Sequence, residues 1–395
     1  MRKHHRSKLG DLVQITGGGT PSRLIPEYWD GEIPWVSVKD FISKRIVTAQ
    51  EKITLIGLKN SASNLIPAES ILMPTRMGLG KIAINDVPVA INQDIKALHI
   101  KEINQLDINY LFLYLSSISK VFEKAGKGAT VKGFKLDFLK DIEVPLPPLS
   151  EQIKIASILT RAENLIAKRK ESIKSLDEFL KSTFLEMFGD PVRNDKGWEK
   201  KYLKNLTIKI GSGATPTGGD SSYKTEGISL IRSMNVYDNT FKYKDLAYID
   251  EVQADKLKNV IVEIDDVLLN ITGASVCRCT LVPKDILPAR VNQHVAIIRV
   301  NRKELNSIYL TSLFTLSNYK FQLLKIAKQN GATREALTKD QIENLEILLP
   351  PLPIQNKFAV IVEKVQAIKV KYNESLVEME KLYGSLSQRA FRGEL

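Results

Sequence analysis

The chain has 395 residues, of which 43% are apolar, and it carries a formal net charge of +12. This length predicts two or three domains, and the apolar fraction is ample for packed cores, which excludes a disordered chain. The excess of lysine and arginine makes an anionic partner the simplest expectation, with nucleic acid first, although a merely basic soluble protein would show the same balance.

Composition also excludes several classes of protein. The N-terminal segment is basic but has no apolar stretch, so we expect no secretory signal, and no run of about 18 apolar residues predicts a membrane span. Two cysteines, Cys277 and Cys279, cannot fill a four-ligand zinc site, and the four histidines show no ligand spacing. We therefore expect a cytoplasmic protein that holds no metal and no cofactor of its own.

The first predicted domain, residues 1–149, opens with a short strand that runs into a glycine-rich loop at residues 16–22. Backbone N–H groups of such a loop can approach phosphate, but the loop lacks the Gly-Lys-Ser/Thr ending of a P-loop. An ordinary turn and a contact to a phosphate backbone remain equally open. Apolar strands, hairpin turns and one helix at 109–124 follow, which predicts an α+β fold with the helices to one side.

Residues 150–190 contain no proline or glycine before Gly189 and repeat apolar side chains at steps of three and four. This pattern predicts an amphipathic helix with a coiled-coil seam, about 35 residues and about 50 Å long. The proline-rich sequence before it marks the start, and Gly189 with the following Asp-Pro marks the end. The seam residues are Ile155, Leu159, Ala162, Ile166, Ile173, Leu176 and Leu180, with Arg169 as one basic member.

The second half of the chain repeats the first. The Gly-Ala-Thr of residues 128–130, the Pro-Pro-Leu of 147–149, Gln152 and Phe188 all recur 203 residues later. The repeat predicts a second domain at 191–352, with a helix at 307–329, and a C-terminal repeat helix at 353–395, after the central one at 150–190. The second seam comprises Phe358, Val362, Val365, Tyr372, Leu376, Met379 and Tyr383, with Lys369 as its basic member.

Charge follows the same division. Residues 1–149 and 191–353 each have a net charge of +5, whereas residues 150–190 are neutral. This distribution favours two anion-binding domains on a neutral helical scaffold over a basic coiled coil that lies along DNA.

Basic and amide side chains at the predicted loop tips are the candidate DNA contacts. Lys and Arg can reach phosphates or guanine, and Asn and Gln can pair with adenine, but a repeated Asn-Gln can equally fix a turn through bonds to the backbone. The candidates are Arg76, Lys81, Asn92, Gln93, Lys127 and Lys132 in the first domain and Arg232, Arg278, Arg290, Asn292, Gln293 and Arg334 in the second.

Taken together, these features resemble the specificity subunit of a type I restriction-modification system over essentially the whole chain. The resemblance rests on the duplicated layout, the proline-rich helix starts at 145–152 and 349–355, and the openings Gly19-Thr20-Pro21 and Ala214-Thr215-Pro216. The segments 266–274 and 290–294 also read like that family.

The resemblance implies two target-recognition domains with mixed β-sheets, each of which reads one half of a split double-stranded DNA site. It implies that the repeat helices pack antiparallel, set the gap between half-sites and dock two methyltransferase subunits that use S-adenosylmethionine. A restriction and translocase subunit would join for cleavage, and this chain would have no activity. The pairs Arg169 with Tyr372 and Ile166 with Lys369 are positions at which the antiparallel packing can be tested.

Two other functions remain open from the residues alone. A coiled-coil scaffold whose basic domains bind RNA or protein would share the same charge and helix pattern. A single-chain enzyme is disfavoured because no nucleophile, metal-binding or cofactor motif occurs at the required spacing.

Overall fold

The computed structural model describes residues 5–126, 133–216, 219–328 and 335–395. The chain forms two compact units: unit 1 comprises 1–170 with 374–395, and unit 2 comprises 171–373. The chain passes from unit 1 to unit 2 after Lys170 and returns to unit 1 after Asn373. These two residues are 203 apart, which equals the offset of the sequence repeat. Each unit therefore combines one sheet-rich domain with half of each long helix, while the division into four consecutive segments stays a prediction.

Unit 1 is built on two sheets. The larger has the strand order β2-β10-β7-β8-β4, the smaller has the order β5-β3-β9-β6, and β1 pairs with β11. The strands are β1 (Arg6–Lys8), β2 (Val13–Gly17), β3 (Trp29–Val36), β4 (Arg45–Ile46), β5 (Glu51–Ile53), β6 (Leu65–Ile66), β7 (Ser70–Pro74), β8 (Ala83–Asn85), β9 (Val89–Ile91), β10 (Ile95–Ile100) and β11 (Glu143–Pro145). The helices are α1 (Leu9–Leu12), α2 (Leu55–Lys59), α3 (Ile108–Ser117), α4 (Ser119–Ala125), α5 (Leu136–Lys140) and the first part of α6 (Leu149–Phe188).

Unit 2 repeats this plan with the sheet orders β13-β22-β19-β20 and β17-β14-β21-β18, and with the pairs β12-β23 and β15-β16. Its strands are β12 (Glu199–Tyr202), β13 (Thr207–Ser212), β14 (Ile228–Ile231), β15 (Val236–Tyr237), β16 (Thr240–Phe241), β17 (Ala247–Ile249), β18 (Ile261–Val262), β19 (Val267–Asn270), β20 (Cys279–Leu281), β21 (Ala289–Val291), β22 (Val295–Val300) and β23 (Glu346–Leu349). Its helices are α7 (Glu251–Asp255), α8 (Ser307–Thr315), α9 (Ser317–Lys328), α10 (Lys339–Glu343) and the first part of α11 (Leu352–Arg392).

The sheets are mixed, as predicted, because each unit has parallel as well as antiparallel pairings; in unit 1, β4 runs parallel to β8. Strand β3 runs parallel to β9 and β14 runs parallel to β21, whereas the neighbouring pairings are antiparallel. The single helix predicted at 109–124 is instead the two helices α3 and α4. The prediction at 307–329 likewise becomes α8 and α9, because Leu316 takes extended backbone angles and is buried in the unit 2 core.

The long helices exceed the predicted length. Helix α6 has 40 residues and α11 has 41, so each is about 60 Å long rather than about 50 Å. Helix α6 ends where the sequence predicts: Gly189 has a φ of 76° and donates its N–H to Leu185 at 2.8 Å. Gly393, with a φ of 74°, follows α11 in the same way.

The two helices run antiparallel within each unit. In unit 1, the hydroxyl of Tyr383 donates to Glu163 at 2.6 Å, and Lys170 pairs with Glu380 at 2.8 Å. Residue numbers therefore increase along α6 in the direction in which they decrease along α11.

Unit 2 shows the same direction, in contacts between the second part of α6 and the first part of α11. Asp177 of α6 pairs with Lys369 of α11, and Phe184 of α6 contacts Phe358 of α11.

The ends of the long helices pack on each domain through aromatic side chains. In unit 1, Phe391 packs edge to face on Tyr110 and Tyr114, with ring centroids 5.5 and 5.2 Å apart. In unit 2, the ring of Tyr309 packs edge to face on Phe188, with ring centroids 4.8 Å apart, and stacks on Phe184, with ring centroids 5.6 Å apart. The helix ends are thus part of each domain's core and not a separate layer.

The repeated glutamines fix the helix starts. Gln152 is fully buried, donates Nε2 to the carbonyls of Gln105 and Pro147 at 2.8 and 2.9 Å, and accepts the N–H of Asp107 at 2.9 Å. Its counterpart Gln355 makes the corresponding three bonds in unit 2. Each amide joins the proline-rich helix start to the loop before α3 or α8.

Candidate nucleic-acid interface

Sheet register brings the predicted contact loops of unit 1 to one place. Gly17, the last residue of β2, lies opposite Lys96 near the start of β10, and Pro74, the last residue of β7, lies opposite Ile95. The glycine-rich loop, the Asn-Gln turn and the loop after β7 therefore meet at one end of the sheet. We call residues 17–22, 74–82 and 92–96 the unit 1 corner.

Unit 2 has a corresponding corner. Ser212 at the end of β13 lies opposite Ala296, and Asn270 at the end of β19 lies opposite Val295. We call residues 212–216, 270–278 and 292–296 the unit 2 corner. The chain returns to it at Leu337, whose N–H donates to Ile271 at 2.8 Å.

The glycine-rich loops pack directly on strand backbone. A Cβ on Gly18 would lie 1.9 Å from the carbonyl oxygen of Ile91, and a Cβ on Gly213 would lie 1.8 Å from that of Val291. Only glycine permits this approach, so the glycines are explained by close packing. The predicted phosphate contact of these loops stays a prediction.

The Asn-Gln pair divides into a buried and an exposed residue. Asn92 and Asn292 are buried, and each side-chain oxygen accepts the N–H two residues later, at 3.1 and 3.0 Å. Both asparagines therefore fix the turn, which was the alternative interpretation of the motif. Gln93 and Gln293 are exposed, and each accepts a hydrogen bond from the threonine of the glycine-rich loop, Thr20 and Thr215 respectively.

Equivalent backbone positions in the two corners hold different side chains. Two residues beyond β7, Arg76 pairs with Asp94 at 3.6 Å. Two residues beyond β19, Thr272 instead contacts His294, with 2.6 Å between Oγ1 and Nδ1. The backbone of the corner is shared, whereas the chemistry it presents is not.

Lys81 and Arg278 are a second equivalent pair. Leu72 pairs with Ala83 in unit 1, as Leu268 pairs with Thr280 in unit 2, so Ala83 and Thr280 occupy equivalent positions in the strand pairing. Lys81 and Arg278 each lie two residues before these positions. Lys81 is exposed. Both corners thus have a cation where the hairpin enters its second strand.

The remaining candidates are placed differently. Arg232 directly follows β14, donates to the carbonyl of Asp245 and lies 5.1 Å from the ring of Tyr223. Arg290 is buried in β21, where it donates to the carbonyls of Ala254 and Ala289 at 3.3 and 3.0 Å and where burial lowers its pKa. DNA contacts by these two residues stay predictions.

Three further candidates lie outside the described residues: Lys127, Lys132 and Arg334.

Sequence reasoning missed Lys96. Its Nζ lies 3.4 Å from the carbonyl of Gln93, and burial, followed by the nearby guanidinium of Arg76, lowers its pKa. Asp94, which pairs with Arg76, acts in the opposite direction and raises the Lys96 pKa. The available signal was alternation: Lys96 is the polar residue between the buried Ile95 and Ala97.

The two cysteines are buried in unit 2, and burial raises the pKa of the Cys277 thiol to about 12 and that of Cys279 further. Both are therefore protonated thiols at neutral pH. Across the described ranges, no three His, Cys, Asp or Glu side chains are grouped to hold a metal ion. None of the helices described combines the length and apolar composition that crossing a bilayer requires.

The predicted seam is the covered face of both long helices. Ile155, Leu159, Phe358 and Val365 are buried. The other seam residues are half-buried, namely Ala162, Ile166, Ile173, Leu176, Leu180, Val362, Tyr372, Leu376, Met379 and Tyr383. The pairs Arg169 with Tyr372 and Ile166 with Lys369 join residues of different units and stay predictions, as does docking of a partner on this seam.

Comparison with known proteins identifies the family. The family model described as "Type I restriction modification DNA specificity domain" matches twice, at residues 1–175 and 195–378. The chain is 26% identical over 411 residues to the type I restriction enzyme MjaIX specificity subunit of Methanocaldococcus jannaschii, across 98% of this chain and 92% of that protein.

Two solved structures share the fold. The type I restriction-modification S subunit from M. genitalium aligns with a TM-score of 0.60 at 13% identity, across 98% of this chain and 96% of that one. A chain from a study of complex assembly and conformational transition in the type I system aligns with a TM-score of 0.63 at 18% identity, across 100% and 99%. With two copies of the specificity domain over most of its length, the chain belongs to the family of type I restriction-modification DNA specificity subunits.

Proposed function

We propose that the two corners each read one half of a split double-stranded DNA target and that the chain performs no catalysis of its own. The observation behind this proposal is the pair of corners, in which one backbone arrangement occurs twice in one chain with different side chains. A reader of a bipartite, asymmetric sequence needs that combination, because each half-site presents its own pattern of donors and acceptors.

The residue differences indicate what each corner can recognise. In unit 1, Arg76 and Lys96 offer charged donors, whereas the amides of Gln93 and Gln293, which can pair with adenine, are common to both corners. In unit 2, Thr272 and His294 replace the Arg76–Asp94 ion pair and offer a hydroxyl and an imidazole. The two halves of the target should therefore differ in sequence.

The long helices suit a spacer role. Each is about 60 Å long, which corresponds to about 18 base pairs at roughly 3.4 Å each, an upper limit for the distance between half-sites. The sequence of the central helix is neutral, so DNA contacts would come from the domains and not from the helix.

The same helices would dock the enzymatic partners. Apolar side chains remain exposed on them, among them Leu165 and Phe179 on α6 and Val377 and Leu382 on α11. We propose that two methyltransferase subunits cover these side chains, bind S-adenosylmethionine and flip the target adenine. A restriction and translocase subunit would join for cleavage, and the complex would act on DNA in the cytoplasm.

The decisive experiment is methylome sequencing of a host with and without this chain, in the presence of its methyltransferase partner. We expect one bipartite adenine-methylated motif that disappears with the chain. Unchanged methylation would refute the role as a specificity subunit and favour an RNA- or protein-binding scaffold.

The spacer role has its own test. Duplexes whose spacer is lengthened or shortened by two base pairs should lose most of the specific binding to the complex, because the half-sites would no longer face both corners. Equal binding of all spacer lengths would exclude the helices as a ruler. Methylation or cleavage by the purified chain alone would overturn the absence of catalysis.

A further inference from the structure

We propose that Lys242 and Arg278, both held on the ring of Tyr237, bind one phosphodiester of the target DNA at the unit 2 corner, and that the unit 1 corner lacks this contact. The proposal rests on the proposed function and assigns part of it to named residues. It places one salt-dependent contact of the complex in unit 2.

The geometry places two cations on one aromatic ring. Lys242 Nζ lies 3.8 Å and the Arg278 guanidinium carbon 4.3 Å from the Tyr237 ring centroid. The two cations lower the pKa of the Tyr237 hydroxyl, with Lys242 as the larger cause. Cation–π contact holds the side chains in place without neutralising their charge.

The neighbouring acids are engaged elsewhere. Asp238 pairs with Lys320, and Glu335, which faces the same cavity, pairs with Lys328 at 3.4 Å. Over the ranges that the structure describes, no carboxylate lies within 4.0 Å of Lys242 or Arg278. Two adjacent cations without a counter-charge favour an external anion.

The backbone around the cluster is fixed in advance. Lys242 exchanges hydrogen bonds with the buried Asn235: its N–H donates to the Asn235 carbonyl at 2.7 Å, and the Asn235 amide donates back to the Lys242 carbonyl at 2.9 Å. The N–H of Asn239 donates to Cys279 at 2.9 Å and so ties the β15-β16 hairpin to β20, next to Arg278. Little ordering is therefore needed on binding.

Tyr237 and Arg278 also line an open cavity of about 570 Å³, together with Thr272, Ser275 and His294. The cluster thus stands at the edge of the corner that the proposed function assigns to DNA. A phosphate there would set the position of the duplex while the residues deeper in the corner face base edges.

Unit 1 has no such cluster at the equivalent position. Asp40 accepts the N–H of Ser37 as Asn235 accepts that of Arg232, which aligns the two segments. The residue two positions after Asp40 is Ile42, whose exposed fraction is 87%. Lys81 therefore lacks the aromatic platform that Arg278 has.

The test is binding of the full chain, assembled with its methyltransferase partner, to its target duplex and to a scrambled duplex across a salt series. We expect Lys242→Gln and Arg278→Gln each to weaken binding to both duplexes by a similar factor. The double variant Lys242→Gln/Arg278→Gln should reduce the slope of log affinity against log salt by about 0.9, as loss of one phosphate contact requires, and each single variant should reduce it by part of that amount.

The controls separate the possible outcomes. Lys256→Gln, an exposed lysine on the same domain, and Tyr237→Phe, which keeps the ring, should leave the slope unchanged. An unchanged slope in both Lys242→Gln and Arg278→Gln would overturn the proposal that these two side chains bind a phosphodiester. A relaxed preference at one base pair in Arg278→Gln, without a change of slope, would also overturn it and make Arg278 a base reader. Absence of specific binding by the unaltered complex would refute the proposed function itself.

Discussion

In unit 2 the ring of Phe184 from α6 meets the ring of Phe358 from α11 edge to face, with centroids 5.5 Å apart. Both side chains are at most 2% exposed. The contact joins the end of one repeat helix to the start of the other inside the core of a single domain. The helices therefore cannot separate in this unit without opening that core.

Replacing Phe358 with alanine should lower the free energy of unfolding by about 3–5 kcal/mol, because it removes a buried ring and leaves a cavity among aromatic neighbours. Denaturant unfolding followed by circular dichroism would measure the loss. Phe179→Ala is the matched control: Phe179 lies on the same helix as Phe184 but is 49% exposed, so its effect should stay within about 0.5 kcal/mol. Equal effects of the two substitutions would contradict the packing described.

Gln152→Ala should also be destabilising, although it removes no apolar contact. The substitution leaves the buried carbonyl of Pro147, the carbonyl of Gln105 and the half-buried N–H of Asp107 without their partner, at a cost of about 1–3 kcal/mol. Because Gln355 makes the same three bonds in unit 2, Gln355→Ala should cost a similar amount. The same unfolding measurement applies, with the exposed Gln388→Ala as control, and a loss no larger than in the control would refute the bonded role.

The repeat and the helices could be predicted from sequence because both are local patterns. A constant offset of 203 and a step of three and four residues need no knowledge of distant contacts. The match between Gln152 and Gln355 could be seen in the sequence, but their bonding role could not. Partners of these two amides lie about 47 and 51 residues away and come close only in the folded chain.

The corners were less predictable for the same reason. Lys81 and Arg278 are separated by 197 residues and Arg76 and Thr272 by 196, so a fixed offset does not align them. Only the pairing of β7 with β8 and of β19 with β20 shows which positions correspond. Lys96 escaped notice because an alternating lysine in a strand resembles any solvated residue.

Stability of unit 1 should depend on pH through His99. Burial lowers the pKa of this imidazole below its ordinary value of 6.5, and its Nδ1 contacts the Ser70 hydroxyl at 2.9 Å. On acidification the unfolded chain binds the proton first. The stabilisation is therefore present above about pH 6.5 and is lost as the pH falls from there through the lower folded pKa.

The measurement is unfolding free energy at several pH values between about 7 and 5, for the unaltered chain and for His99→Gln. The unaltered chain should lose stability more steeply than the variant over this range. Identical pH profiles would show that His99 is not buried in its neutral form.

In unit 2, the positions equivalent to Ser70 and His99 hold Asp266 and Arg299, which form an ion pair. The equivalence follows from strand register, since Ile71 pairs with Leu98 and Val267 pairs with Ile298. Arg299 donates Nε and Nη2 to the fully buried carboxylate of Asp266 at 2.8 and 2.9 Å, and these bonds raise the Arg299 pKa. Arg299→Ala should cost about 3–5 kcal/mol, because it leaves a buried charge without its partner.

The double variant decides whether the loss comes from the unpaired charge. Adding Asp266→Asn to Arg299→Ala removes the charge that has lost its partner, so the double variant should be more stable than the sum of the two single losses predicts. Arg299→Lys keeps the charge but not the two parallel bonds and should fall between the unaltered chain and Arg299→Ala. Strict additivity in the cycle would mean that the two side chains contribute independently, contrary to the bidentate geometry.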